Sequence, residues 1–156
     1  MMSNLFKYPG FLGAGAPFIS DITLILMLLT AALFTLGWRL AVRRRYTAHR
    51  WVQTWAVSLN TVVVLIVMVS SFVIFILPGI PGKLSEGSYG ITTFHGLVGI
   101  VSLILGVYVV LVGNGLLPKS LRFTNYKLFM RTAYVLYMLA TFLGVVVYIV
   151  VFVYGV

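Results

Sequence analysis

The stretch "YTAHRWVQTWAVSLNTVVVLIVMVSSFVIFIL", residues 46–77, decides the fold. Its second half is a nearly unbroken apolar run of the length that a helix needs to cross a lipid bilayer. Its first half places a histidine, a glutamine and an asparagine on the approach to that run. Polar side chains at membrane depth are energetically expensive and usually have a role. The stretch therefore predicts a transmembrane helix that carries a polar stripe.

Apolar runs of the same kind recur along the rest of the chain. Of its 156 residues, 62% are hydrophobic and 8% are charged, and the mean hydropathy is +1.12. A soluble protein of this size needs far more polar surface. The runs predict spans at about 21–43, 52–77, 92–114 and 131–154, joined by short loops. The sequence thus predicts an all-α integral membrane protein, a four-helix bundle that forms one domain over residues 1–156.

Positive charge is concentrated on one side of this predicted bundle. Nine of the eleven Lys and Arg residues flank or occupy the two loops that follow the first and third spans, whereas Lys7 and Lys83 lie on the opposite side. The positive-inside rule then places both basic loops in the cytoplasm and both termini outside a plasma membrane. We expect these loops to contact anionic lipids, and no nucleic acid. The residues assigned to lipid contact are Arg43, Arg44, Arg45, Lys119, Arg122 and Lys127.

The segment "NLFKYPGFLGAGAPFIS", residues 4–20, is rich in aromatic residues, glycine and proline, and it is too short to span a membrane. We expect it to lie at the outer interface, where aromatic rings are favoured. Ser20 or Asp21 is the expected cap of the first helix. Asp21 and Glu86 both fall on the outer side, so the sequence predicts no carboxylate near the middle of the membrane.

Each of the last three spans has one polar or small-residue face at helical spacing. Small residues let helices approach closely, and polar side chains form hydrogen bonds between helices in lipid, so packing is the first interpretation. We expect Asn60 to bond to Tyr137 or Thr141, and Gly99 and Gly106 to face another helix. The faces comprise His49, Gln53, Asn60 and Ser71, then His95, Gly99, Ser102, Gly106 and Gly113, then Met130, Tyr137, Thr141, Gly144 and Tyr148.

The two histidines raise the question of haem, because imidazoles from facing helices are axial ligands in haem-binding helical bundles. His49 opens the second span on the inner side, and His95 opens the third on the outer side. The rise of a helix then separates them by about 30 Å, which excludes one iron ligated by both. Met130 is the thioether that could pair with His49, and Tyr89 is a weak candidate partner for His95. No cofactor is therefore expected, and haem b is the disfavoured alternative.

Signatures of catalysis are absent from the sequence. The chain has no cysteine, which excludes thiolate metal ligands and cysteine nucleophiles. It also has no glycine-rich phosphate loop and no H-E-x-x-H motif. We therefore expect that the chain is not an enzyme and has no dedicated metal site, and the cofactor-binding candidates are limited to His49, His95 and Met130.

Three short motifs carry a resemblance to a known family. They are "YTAHRW" around His49, "TTFHGL" around His95 and "LGVVVYIVVF" in the fourth span. The chain resembles, over about residues 40–155, a family of small four-helix bacterial membrane proteins known as a domain of unknown function, which includes an assembly factor for haem–copper oxidases. The family pattern has four histidines in two pairs. This chain keeps one of each pair, since "SSFVIFILPG" and "NYKLFMRTAY" contain no histidine.

Three functions follow as hypotheses. The first is a non-catalytic accessory or assembly subunit of a larger membrane complex, with lipids and other integral membrane subunits as its partners. The resemblance implies a respiratory context for that complex, or more generally electron transport, photosynthetic transport included. The second is a small b-type cytochrome or metal-handling protein. The third is a lipid-binding or quinone-binding subunit that uses the aromatic outer segment.

Overall fold

The computed structural model describes residues 7–122 and 124–155. Within these ranges the chain is helical and has no strand, apart from one isolated bridge between Pro9 and Pro17. The described residues contain four helices that are long and apolar enough to cross a membrane. They are α1 Phe18–Val42, α2 Tyr46–Gly79, α3 Gly87–Gly113 and α4 Tyr126–Val153.

The helices extend beyond the predicted apolar spans. α2 begins at Tyr46 instead of about 52, α3 at Gly87 instead of 92, and α4 at Tyr126 instead of 131. The reason is that hydropathy marks only the apolar part, whereas a helix continues as long as its backbone hydrogen bonds are satisfied. At α4 the side chain of Asn125 accepts a hydrogen bond from the Leu128 N–H, which fixes the start of the helix.

Two stretches of α2 are wound more loosely than an α-helix. Val64–Met68 and Phe72–Ile76 form π-helical turns, and the helix ends in a tight turn at Leu77–Gly79 that contains Pro78. The last turn of α4, Ile149–Val153, is also π-helical. These irregular turns lie at one end of the helices, where α1 begins. We call it the Asp21 end, and the opposite end the His49 end.

The helices pack mainly as neighbours along the chain. α1 packs against α2 and α4, and α3 packs against α4 and α2. The core contains Ala31 and Phe34 from α1, Ala56 from α2 and Tyr137 from α4, with the rings of Phe34 and Tyr137 centred 4.3 Å apart. Val107 of α3 packs against this cluster. The core thus joins side chains from all four helices.

The four helices are covered unequally by the rest of the described chain. In the most apolar stretch of α1 and of α4, 28% of residues are buried, whereas the share is 6% for α2 and for α3. The Asp21-end half of α2 shows this most clearly, because its large apolar side chains are exposed. Exposed members of this half are Leu65, Ile66, Val69, Val73, Ile74 and Phe75.

Candidate functional site

Polar side chains join α1 and α2 at the His49 end. The Nδ1–H of His49 donates to the backbone carbonyl of Gly37 at 2.7 Å, and the Nε2 of Gln53 donates to the carbonyl of Phe34 at 3.2 Å. Any side chain at Gly37 would collide with the Gln53 amide. The predicted stripe therefore faces another helix at these two residues, and it uses carbonyls of α1 as acceptors. His49 keeps its Nε2 as the remaining ring nitrogen.

Further along the same stripe, the predicted hydrogen bond from Asn60 is wrong. The hydroxyl of Tyr137 donates to the carbonyl of Met27 at 3.5 Å, and that of Thr141 donates to the carbonyl of Tyr137 at 3.0 Å. The reason is that α2 packs chiefly on α1 and α3, so α4 is not its principal neighbour. Among the described residues, the half-buried Asn60 amide has no hydrogen-bond partner. Ser71 bonds to its own helix at the carbonyl of Val67.

Asp21 is a second polar centre, and its predicted role as a helix cap is wrong. Pro17 occupies the cap position, and the Asp21 side chain is only 1% exposed. One carboxylate oxygen accepts hydrogen bonds from the N–H groups of Phe11 and Leu12, at 2.6 and 2.8 Å, and the other accepts from the Tyr148 hydroxyl at 2.5 Å. Asp21 therefore ties the N-terminal segment and α4 to the first turn of α1.

The N-terminal segment itself folds back on α1. The N–H of Gly10 donates to the carbonyl of Ala16 at 2.8 Å, and the N–H of Phe18 donates to that of Tyr8 at 2.9 Å. Any side chain at Gly10 would collide with the Asp21 carboxylate and the Ala16 carbonyl. The rings of Tyr8 and Phe11 are exposed, which suits a segment that lies at a membrane interface.

His95, on α3, is the third polar centre. Because α3 begins at Gly87, His95 is two turns inside the helix and packs between α1 and α4. A Cβ atom at Gly144 would stand 3.1 Å from His95 Cε1 and 2.7 Å from Met27 Sδ, so imidazole and thioether converge on that glycine. The backbone carbonyl of Ala140 is another neighbour of the ring.

The Nδ1 atom of His95 is buried and has no hydrogen-bond partner in the part of the chain that the structure describes. The hydroxyls of Thr92, Thr93 and Ser102, also on α3, share this condition. Other helices behave differently, since their hydroxyls donate to carbonyls of their own preceding turn. That second group comprises Thr23, Thr30, Thr35, Thr54, Thr61, Ser70, Ser71 and Thr141. Buried polar atoms without partners are therefore concentrated on α3.

The two histidines contact neighbouring helices at different levels. His49 bonds to α1 at Gly37, whereas His95 lies beside Gly144 of α4. Gly96, next to His95, lies beside Phe72 of α2, which is 23 residues from His49 along that helix. The predicted separation of about 30 Å stays a prediction.

The proposed partners of the histidines lie elsewhere. The His49 ring bonds to α1, and Met130 is half-buried on α4, which is not a principal neighbour of α2. Tyr89 packs on Gly79, and Lys83 Nζ lies 5.3 Å from the centre of its ring. Within residues 7–122 and 124–155, no group of three or more His, Asp or Glu side chains could hold a metal ion.

The glycines that bring helices together are partly those that were predicted. A Cβ atom at Gly106 would lie 3.7 Å from a methyl group of Val57, so Gly106 faces α2 as expected. The same prediction for Gly99 is wrong, because no described atom of a neighbouring helix lies within 4 Å of its Cβ position. Among the glycines of the predicted faces, Gly144 has the closest neighbour, at 2.7 Å, and Gly37, which was not predicted, brings α1 and α2 together. Gly37 and Met27 were missed because both lie inside the apolar run of the first span.

Among the basic residues assigned to lipid contact, Arg122 forms hydrogen bonds within the chain. Its Nε and Nη2 donate to the carbonyl of Leu117 at 2.9 and 2.6 Å, so it orders the loop after α3. Arg44 adopts a left-handed conformation, with φ of 58°, where α1 ends. All six residues of the set are exposed, Arg122 included.

Comparison with known proteins gives no relative: no family model, no curated protein and no solved structure matches this chain.

Proposed function

We propose that this chain is a non-catalytic accessory or assembly subunit of a larger membrane complex, with electron transport as the expected setting. In this proposal the four helices form a bundle in a cell membrane, with both termini on the extracytoplasmic side. The observation that carries it is the exposed apolar surface of α2, a helix that also carries the unpartnered amide of Asn60. Lipid can cover the apolar residues, but it cannot satisfy an asparagine amide.

Contact with other subunits would explain the distribution of burial. α1 and α4 are the better-covered helices among the described residues, whereas few residues of α2 and α3 are fully buried. A partner helix that packs on α2 would cover exposed apolar side chains such as Ile66 and Val73, and a polar group of that subunit that reached Asn60 would satisfy its amide. The polar atoms on α3 would gain partners only if that subunit or a ligand reached the inside of the chain.

Site-specific photo-crosslinking in native membranes tests this proposal. A photoreactive amino acid is placed at Ile66 or Val73 on α2, and at Phe142 on α4 as the control, since all three side chains are exposed. We expect the α2 positions to form an adduct with one defined membrane protein and Phe142 to form adducts with lipid. Lipid adducts alone at all three positions would overturn the proposal.

The orientation is tested separately. Because the chain has no cysteine, a single introduced thiol is the only target for a membrane-impermeant maleimide. Lys83→Cys should be labelled in intact cells, and Lys119→Cys only after the membrane is permeabilised. Labelling of Lys119→Cys in intact cells would contradict the orientation.

A specific observation also supports a small b-type cytochrome or metal-handling protein. The buried, unpartnered Nδ1 of His95 lies near the Met27 thioether, and both groups are accepted ligands of haem iron or a soft metal ion. The absorption spectrum and metal content of the purified chain decide between the two functions. A stoichiometric Soret band that His95→Leu abolishes would favour the cytochrome and overturn the accessory role as the main one.

A further inference from the structure

A shallow groove lies on α1 at the His49 end. It has a volume of about 210 Å³ and is lined by Trp38, Arg39, Val42 and Arg43. These residues lie on one face of the last turns of α1, because Arg39 and Arg43 are separated by four residues. The groove therefore combines two guanidinium groups with two apolar side chains at the end of a membrane-length helix.

The two guanidinium groups have no counter-ion among the described residues. Neither Arg39 nor Arg43 has a side-chain hydrogen bond or ion pair with another described residue, in contrast to Arg122, which binds loop carbonyls. The two acids of the chain, Asp21 and Glu86, both lie at the opposite end of the helices. Negative charge for this groove must therefore come from another molecule.

The apolar lining indicates what kind of anion fits. Val42 is 66% exposed and Trp38 is 51% exposed, and the Trp38 ring stacks on Tyr134 of α4 at a centroid distance of 6.1 Å. The stacked indole is held in place at the end of the helix, where tryptophan favours the boundary between headgroups and acyl chains. A free inorganic anion would leave this apolar surface uncovered, whereas a lipid covers it with its glycerol and acyl groups.

We infer that this groove binds the headgroup of an anionic phospholipid. Arg39 and Arg43 bind the phosphate, because the planar guanidinium group matches phosphate geometry with paired donors. Trp38 and Val42 contact the glycerol region and the start of an acyl chain. This proposal is more specific than a general attraction between basic loops and lipid, because it assigns binding of the headgroup to one face of α1. It does not depend on the proposed function.

The test compares two double variants that lose the same charge. R39Q/R43Q removes the arginines of the groove, whereas R50Q/R131Q removes two exposed arginines of the same end that do not line it. Native mass spectrometry counts phosphatidylglycerol and phosphatidylcholine retained by each purified protein. We expect the wild type and R50Q/R131Q to retain phosphatidylglycerol alike, and R39Q/R43Q to lose about tenfold or more in affinity, since each arginine contributes about 1 kcal/mol.

A third variant is the control for a loss of binding that is caused by misfolding. R39K/R43K keeps both charges but loses the planar donor pairs, so it should bind phosphatidylglycerol several-fold more weakly than the wild type while its helical circular dichroism is unchanged. Equal losses in R39Q/R43Q and R50Q/R131Q would show that net charge alone attracts the lipid. That result, or undiminished phosphatidylglycerol binding by R39Q/R43Q, would overturn the assignment.

Discussion

Asp21 is buried and His95 is half-buried with a shielded Nδ1, both on membrane-length helices, but the partners of their polar atoms differ. The Asp21 carboxylate accepts three hydrogen bonds, from two backbone N–H groups and from the Tyr148 hydroxyl. The Nδ1 of His95 has no partner among the described residues, although it is equally shielded. Burying a polar group is tolerable when it is hydrogen-bonded and costly when it is not. By this criterion the Asp21 carboxylate stabilises the fold, whereas the Nδ1 of His95 does not.

The same difference applies to the two regions as a whole. Around Asp21, hydrogen bonds join the N-terminal segment, α1 and α4, and both carboxylate oxygens have partners. Around His95 the hydroxyls of Thr92 and Ser102 are also unpartnered. A structural role therefore accounts for the first region completely. The second region retains hydrogen-bonding capacity, which a ligand or a partner subunit could use.

The largest expected effect is that of Asp21→Ala. The substitution leaves three partly buried donors without their acceptor, so it should lower the free energy of unfolding in detergent by about 3 kcal/mol. The matched control is Glu86→Ala, which removes an exposed acid from the same end of the helices. Thermal unfolding gives the stability, and hydrogen exchange at Phe11 and Leu12 reports whether the N-terminal segment detaches. Equal stability of the two variants would contradict the role of Asp21.

A smaller effect is expected at Gly144. In Gly144→Ala the new methyl group would press on Met27 Sδ and on the His95 ring, so stability should fall by about 1–2 kcal/mol. Gly99→Ala is the control, since its Cβ position is open and alanine favours a helix, which should raise stability by up to about 1 kcal/mol. Opposite shifts in melting temperature would confirm the contrast. A decrease for both variants would mean that Gly99 also packs against a helix.

The smallest effect on stability is expected for His95→Leu. An apolar side chain of similar size replaces an imidazole whose Nδ1 has no partner, so the free energy of unfolding should change by less than about 1 kcal/mol. Thermal unfolding of this variant beside Asp21→Ala sharpens the comparison directly. A loss as large as that of Asp21→Ala would show that His95 has a structural role after all.

The four spans could be predicted from the sequence because each is a long apolar run between polar loops. The packing and hydrogen-bond partners of the residues on these spans could not be predicted. Hydropathy does not distinguish a surface that faces lipid from one that faces a helix, so Gly99 and Gly106 looked alike although one is open and the other packs on Val57. Likewise, periodicity showed that Asn60 shares a face with Gln53, but not that this face is directed to α1 instead of α4.

Asp21 could not be understood from its local sequence either. A carboxylate near the start of a helix commonly serves as its cap, whereas here two of its three donors come from residues 11 and 12, and the third comes from the far end of α4. Such a contact depends on how the N-terminal segment folds back, which is set by the backbone hydrogen bonds of Gly10 and Phe18. No motif in the sequence predicts that the N-terminal segment folds back on α1.

The most direct test of the proposed accessory role is purification of the tagged chain from native membranes in a mild detergent, followed by quantitative mass spectrometry of the proteins that migrate with it. The proposed function predicts at least one integral membrane protein at stoichiometric yield, and its loss when Asn60 is replaced by leucine and Ile66 by arginine. A chain that migrates alone, with no stoichiometric membrane protein from any fraction, would contradict it.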